Sequence, residues 1–406
     1  MQIAVWVRRM VHGIRTYNIC QREAILVTVG KNIRTGFAAF VLGLCVQSAH
    51  AEDGITKDTI LIGQAAGFTG SVAGAVKEQT AGARAYIDAV NASGGVHGRK
   101  IVLESLDDGF DAKKTPEVTR QLIEDKKVFA LFLFRGTPNT EAAYPVAAKA
   151  NVPLIAPSTG AQSMYSPPRK YLFPVRASYH SETTAIVNHL VSIGVKKIAV
   201  MYDDASFGKD VLTGVQNAMK EKNMTASATA SYERGTVKIE NAVKQIAAND
   251  PQAVIMAAAV DSGSAFVAQM KAQDRNPMFF TLSNLSANSF IKALGPNGNG
   301  VVISQVSPYP FAVTSPIAAE FIKAVKGRPD VLPSYASIEG FIGAKVLVEG
   351  LRRAGPQPTR EKLIKGLESM NRVDLGGIFV TYGPDDRTGT TFVDLTVVSK
   401  DGKFIH

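Results

Sequence analysis

The chain reads as an α/β protein made of two successive doubly wound sets, and three observations carry that reading. Short apolar runs alternate with amphipathic helical stretches from residue 59 onward, the pattern of parallel sheets covered by helices. The alternation runs once to about residue 176 and then starts again, with no tandem repeat at a fixed period. The 406 residues, 46% hydrophobic and 20% charged, suffice for two cores of ordinary globular composition.

In the first set, TILIGQAA (59–66) is a strand. Residues 76–92, with Ala83, Ile87 and Val90 on one face, form a helix that stops at Gly94 and Gly95. KIVLESLDD (100–108) is the second strand, followed by a helix through Val118 and Leu122. VFALFLFRG (128–136) is the third, followed by the helix TEAAYPVAAKA (140–150) and the strand VPLIAPS (152–158).

The second set opens after YLFPVRAS (171–178) with a helix over 181–193. The strands KIAVMYDD (197–204), TASATASY (225–232), QAVIMAAAV (252–260), PMFFTLSN (277–284) and GVVISQVSP (300–308) then alternate with helices, one of them over 209–222. Helical stretches follow at 315–326, 335–353 and 359–370. GIFVTYGPDDRTGTTFVDLTVVSKDGKF (377–404) closes the chain as antiparallel strands with turns at GPDD and KDG. No Gly/Ser- or Pro-rich linker separates the sets, so their joints are expected to be short.

Residues 1–51 stand apart. Lys31 and Arg34 precede the ten-residue apolar run FAAFVLGLCV (37–46), which is too short to span a membrane. Ala49 and Ala51 follow in the small-x-small pattern of a signal-peptidase site. Cleavage is expected after Ala51, giving an exported, periplasmic product. Leu44 before Cys45 argues against lipidation. The leader holds Arg8, Arg9, Arg15, Arg22, Lys31 and Arg34 against Glu23, so half of the formal charge of +10 leaves with it. The remainder is too mild and scattered for nucleic acid. Cys20 and Cys45 leave as well, so neither a disulfide nor thiol chemistry is expected.

Ligands of open α/β sheets bind beyond the carboxyl ends of the strands. Thr137 ends one strand, and Ser158 and Thr159 end its neighbour. Their hydroxyls and amides can converge where helices begin, a setting that favours an anion such as a carboxylate. The competing role is capping of those helices. Asp107, Asp108, Asp203 and Asp204 end strands and read as solvated turn and capping residues. GFTGSVAG (67–74) lacks the Gly-Lys-Ser/Thr of a nucleotide loop, GPNGNG lacks dinucleotide spacing, and no Gly-x-Ser-x-Gly elbow occurs. His97, His180, His189 and His406 have no metal-ligand spacing. Neither an enzyme nor a cofactor is expected.

GRKIVLESLDDGFDAKKTPEVTRQLIEDKKVFALF, VPLIAPSTGAQ, IAVMYDDASFGKD and PSYASIEGFIGAKVLVEGLRRAG together resemble the type I periplasmic binding proteins of ABC transporters, in particular their leucine/isoleucine/valine-binding branch. The resemblance covers essentially 54–406, in order. It implies two Rossmann-like lobes joined by a three-crossover hinge, with 54–176 plus 307–388 as one lobe and 177–306 plus 389–406 as the other. It also implies a small-molecule solute, an ABC permease in the inner membrane as partner, and a monomer. Thr137 takes the family's first carboxylate-binding position, Ser158 with Thr159 or Gly160 the second, and Phe207 closes over the ligand. The acidic partner for an α-ammonium falls near Ser283, which is a departure. Glu339 is the replacement on offer, or else a first-turn helix acid stabilised by the dipole. Arg135 either adds charge for an acidic ligand or ends its strand in solvent.

The expected ligand is a branched-chain or other apolar amino acid. An aromatic or aliphatic acid, amide or urea-like solute without an ammonium is the alternative, and a periplasmic sensor subunit is a second class. N-terminal sequencing of the secreted product should give Glu52 as its first residue; a product retaining residue 37 or earlier would refute the cleavage site.

Overall fold

The structure, a computed structural model, describes residues 52–312 and 314–405. The expected cleavage site and both cysteines lie outside the described residues.

Apolar runs set the first sheet, the inner strands buried on both faces and the edge strand β2 on one: β1 (Thr59–Ala66), β2 (Lys100–Asp107), β3 (Ala130–Phe132), β4 (Leu154–Ile155) and β5 (Leu172–Phe173). They pair in parallel in the order β2-β1-β3-β4-β5. The second sheet repeats that order with β6 (Ile198–Asp203), β7 (Ala228–Tyr232), β8 (Ala253–Ala257), β9 (Met278–Thr281) and β10 (Val302–Gln305), arranged β7-β6-β8-β9-β10. β11 (Val373–Asp374), β12 (Phe379–Gly383) and β13 (Asp386–Gly389) form a separate antiparallel sheet. The last strands, β14 (Asp394–Val398) and β15 (Phe404–Ile405), add antiparallel to β10, so the chain returns to the second sheet at its end.

The third and fourth strands are shorter than the apolar runs VFALFLFRG and VPLIAPS suggest. Leu133 (φ 58°) and Ala156 (φ 52°) take left-handed backbone just past β3 and β4. That conformation is costly for residues with a Cβ and breaks the ladder. Pairing resumes as a single parallel bridge between Arg135 and Ser158. Two neighbouring strands are thus bent at one level, immediately before the residues of interest.

The helices are α1 (Ala73–Ala92), α2 (Thr115–Arg120), α3 (Thr137–Lys149), α4 (Tyr179–Ser192), α5 (Ser206–Glu221), α6 (Glu240–Ala247), α7 (Val260–Lys271), α8 (Asn288–Leu294), α9 (Pro316–Val325), α10 (Tyr335–Ala354) and α11 (Arg360–Glu368). α3 begins at Thr137, three residues before the stretch the sequence suggests. Gly136 (φ 95°) supplies the turn into it, and Pro138 fits a first turn that lacks amide acceptors.

One apolar cluster packs α1, α9, α10 and α11 onto the first sheet through Tyr86, Phe321, Phe341 and Leu363. A second runs from the opposite face of that sheet (Leu131, Phe134) through α4 and α5 (Ile186, Val211) to the second sheet (Ile255, Phe280). A third covers the far face of the second sheet.

The α1–α10 contact is close enough to require glycine. A Cβ on Gly82 would lie 1.8 Å from the Ser337 carbonyl oxygen, and one on Gly340 would lie 1.9 Å from the Gln79 carbonyl oxygen. Backbone cannot yield as a flexible side chain does. Gly340→Ala should therefore lower unfolding free energy by about 1–3 kcal/mol, measured by urea denaturation; an unchanged midpoint would show that the helices separate freely.

Candidate functional site

With both sheets in the order 2-1-3-4-5, the switch points lie at β1/β3 and β6/β8, where crevices open at the strand ends. Both crevices feed one cavity, walled by residues that follow the strands of both sheets. The segments entering it follow β1 (Val72), β3 (Arg135, Thr137), β4 (Ser158), β6 (Asp203, Phe207) and β8 (Ala259).

Thr137 and Ser158 both line this cavity, from adjacent strand ends. Thr137 opens α3, and its Oγ1 lies 2.6 Å from Thr159 Oγ1. Ser158 Oγ accepts from Arg135 Nη1 at 3.1 Å. The N-cap residues of α1 and α3, Val72 and Gly136, supply no side-chain cap, so the first amides of those helices have no capping side chain beside the cavity. Phe207 is in the wall, edge-on to Tyr179 at 5.1 Å between centroids.

Arg135 is not a solvated strand end. It is 7% exposed, with Nη1 donating to Gln79 Oε1 at 3.2 Å as well as to Ser158, and Nη2 donating to the Asn284 carbonyl at 2.8 Å. Burial pushes its guanidinium below the usual range, with Glu339 acting in the opposite sense.

Four expected residues, Thr159, Gly160, Ser283 and Glu339, do not line this cavity. Thr159 is wholly buried, with its Oγ1 against Thr137 and accepting the Ala161 amide at 3.3 Å. Gly160 lets Tyr179 approach: its carbonyl accepts the Tyr179 amide at 2.6 Å, and a Cβ there would stand 2.8 Å from that nitrogen. Ser283 is buried against Arg176, its hydroxyl accepting from the guanidinium and its amide donating to Glu182 Oε2 at 2.9 Å.

Glu339 belongs to the same ionic centre. Arg176, 3% exposed, pairs with Glu182 at 2.8 Å and with Glu339 at 3.4 Å. Glu182 Oε2 also accepts from Ser304 Oγ at 2.6 Å. Glu339 therefore faces a smaller cavity beside Gln79 and Arg176, and it is one of two carboxylates paired with the Arg176 guanidinium rather than a free counter-charge for a solute. Burial works against charge on Arg176, but Glu339 and Glu182 together raise its pKa.

The sequence reading missed much of the second wall. Asp203, read as a solvated cap, does cap α5 by accepting the Gly208 and Ala205 amides at 3.0 and 3.1 Å. It is nonetheless buried, lines the cavity, and has its carboxyl raised by that burial. Arg234 lines the cavity too, with its guanidinium carbon 4.5 Å above the Phe110 ring and its Nη2 donating to Asn139 Oδ1 at 3.0 Å. Tyr232 and Asn284 complete this side. Arg234 and Asn284 follow the ends of β7 and β9, which is the signal that marks them in the sequence, whereas Asp203 is visible at the end of β6 but its burial is not. The Arg135–Asn284 and Arg234–Asn139 bonds both cross from one sheet's loops to the other's.

A family model described as periplasmic binding protein matches residues 59–403. The chain belongs to that family, in its leucine/isoleucine/valine-binding-protein-like branch. A substrate-binding periplasmic protein from Ralstonia solanacearum is 34% identical with TM-score 0.80, over 85% of this chain and 99% of its own. A possible leucine/isoleucine/valine-binding protein from Rhodopirellula baltica SH 1 is 25% identical with TM-score 0.81, over 88% and 98%. Among curated relatives, Leu/Ile/Val-binding protein homolog 8 of Brucella abortus (strain 2308) is 22% identical over 369 residues, 83% of this chain and 87% of that one. The family is one of solute-binding proteins rather than enzymes, and its two-lobe fold is the one described above.

Two predictions follow from the ionic centre of this binding protein. Arg176→Met strands the buried Glu182 carboxylate and the half-buried Glu339 and should cost about 3–5 kcal/mol at pH 7, measured by urea unfolding; a loss below about 1 kcal/mol would mean the centre behaves like a surface pair. Glu339, raised by burial above its ordinary 4.5, holds its proton more firmly folded than unfolded. Its contribution favours the fold below pH 4.5 and fades as pH rises through the raised value. Glu339→Gln should make the slope of unfolding free energy against pH less negative across that window; an unaltered slope would contradict the assigned shift.

Proposed function

We propose that this periplasmic binding protein is an exported receptor of an ABC uptake system, released from its leader after Ala51, acting as a monomer, and delivering a small carboxylate-bearing solute to an inner-membrane permease. The lobes proposed are 54–176 with 307–388 and 177–306 with 389–406. The division of strands supports this, since β1–β5 share one sheet while β6–β10, β14 and β15 share the other. The solute docks on Thr137, Ser158 and Arg135, and Phe207 closes from the other side. Only contacts improved on closure shift the equilibrium.

The observation that carries the reading is the charge state of the cavity wall. Among the described residues, neither Arg135 nor Arg234 forms an ion pair within 4.0 Å, and Asp203 is the carboxylate that shares the wall with them. A buried guanidinium without a counter-charge is costly, and a solute carboxylate removes that cost. Two cations against one anion favour an acid without an ammonium over a zwitterion. A branched-chain amino acid, suggested by the names of the relatives, is the second reading, with Asp203 as the one cavity carboxylate able to face its ammonium.

Calorimetric titration should separate them: 4-methylpentanoate and related acids should bind more tightly than leucine, isoleucine or valine. Arg135→Met should weaken binding of any carboxylate about 10- to 100-fold, the value of a hydrogen-bonded charge. Undiminished affinity in a folded Arg135→Met variant would remove Arg135 from the site.

A further inference from the structure

Two side-chain atoms in the cavity wall are left without partners by the fold. Arg234 is fixed by Phe110 beneath its guanidinium, by Asn139 at Nη2, and by its own amide donating to Asp204 Oδ1 at 2.9 Å. Its Nη1 is buried and bonds to nothing among the described residues. Asn284 is fixed as well: its Nδ2 donates to the Ala258 carbonyl at 2.9 Å, and its own carbonyl accepts from Arg135. Because the Ala258 carbonyl can only accept, it sets the amide orientation, and the buried atom left unpaired is the oxygen, Oδ1. Arg234 and Asn284 both line the cavity, and each keeps one buried polar atom without a partner among the described residues, a donor on the first and an acceptor on the second. Buried polar atoms are nearly always satisfied, and exceptions call for an explanation.

We infer that the solute is a small hydroxylated organic acid, whose carboxylate lies at the Arg135–Thr137–Ser158 end and whose neutral hydroxyl functions accept from Arg234 Nη1 and donate to Asn284 Oδ1. The inference rests on the carboxylate reading above and narrows it. An unsubstituted acid leaves both atoms unpaired. A second carboxylate suits Arg234 but sets an acceptor against Asn284 Oδ1 and the Asp203 carboxylate. An ammonium suits Asn284 and Asp203 but repels Arg234. Hydroxyl groups can accept at Arg234 and donate at Asn284 without adding charge, and a hydroxyl is the smallest group able to do either. Phe110, Tyr179, Phe207 and Leu285 supply apolar wall for the rest of the solute.

The test is isothermal titration of the exported protein with matched pairs: 4-hydroxybenzoate against benzoate, 3-phenyllactate against 3-phenylpropanoate, and 2-hydroxy-4-methylpentanoate against 4-methylpentanoate, with succinate and leucine alongside. In at least one pair the hydroxylated member should bind about tenfold tighter or more, the worth of one added bond to a charged group. That ratio should collapse toward one in Arg234→Met and shrink in Asn284→Ala. Acids that bind with no preference for the hydroxylated member overturn this inference and leave the carboxylate reading standing, as does succinate binding most tightly. Tightest binding by leucine overturns it in favour of the zwitterion. If no carboxylate binds, the inference and the reading beneath it both fall.

Discussion

Arg135 donates all its hydrogen bonds in the interior to dipoles, the Gln79 amide oxygen, the Ser158 hydroxyl and the Asn284 carbonyl, with Glu339 acting on its charge only from beyond ion-pair distance. Two of these belong to the first sheet's side of the cavity and the third to a loop beyond β9, so the charge is fully solvated only while the two walls meet. Such a group is unfavourable by itself and becomes favourable when an anion joins it. The distorted backbone upstream has a reason in this light. Left-handed Leu133 and Ala156 end the regular ladder and bring Arg135 and Ser158 side by side one step later, which places a guanidinium and a hydroxyl on one side of the crevice.

The other buried guanidinium does the opposite job. Arg176 follows β5 and joins α4, α10 and the segment after β9 through Glu182, Glu339 and Ser283. Its charge is matched within the fold, so it offers nothing to a solute. The same centre withdraws Ser283 and Glu339 from the cavity. The contrast is physical: Arg176 has carboxylates within ion-pair distance, and Arg135 has none among the described residues.

Electrostatics and topology reinforce each other in the cavity. Parallel order 2-1-3-4-5 in both sheets brings two switch points together, and helices α1, α3, α5 and α7 start around them. Helix N-termini carry partial positive charge. Asp203 answers that charge at α5, while α1 and α3 begin without side-chain caps. The wall is therefore electropositive on the first sheet's side and mixed on the other, an asymmetry suited to a solute with one anionic end.

Most of the order of elements was legible in the chain, because apolar period and turn residues are local properties; β5 and β11, two residues each, were not read as strands, and β3 and β4 stop short of their apolar runs where left-handed Leu133 and Ala156 end them. That Thr137 and Ser158 come to one cavity was legible too, since the ends of strands can be counted, while Phe207 was reached only through the family resemblance. What a side chain does with its charge was not. Whether Arg135 meets solvent, whether Glu339 is free, and whether Asp203 faces a cavity depend on groups 56 to 163 positions away, such as Gln79 for Arg135 and Arg176 for Glu339. Those distances are closed only by packing, so the sequence by itself determined the scaffold and the place of the crevice. Tertiary structure alone decided which charges are already paired and which still await a partner.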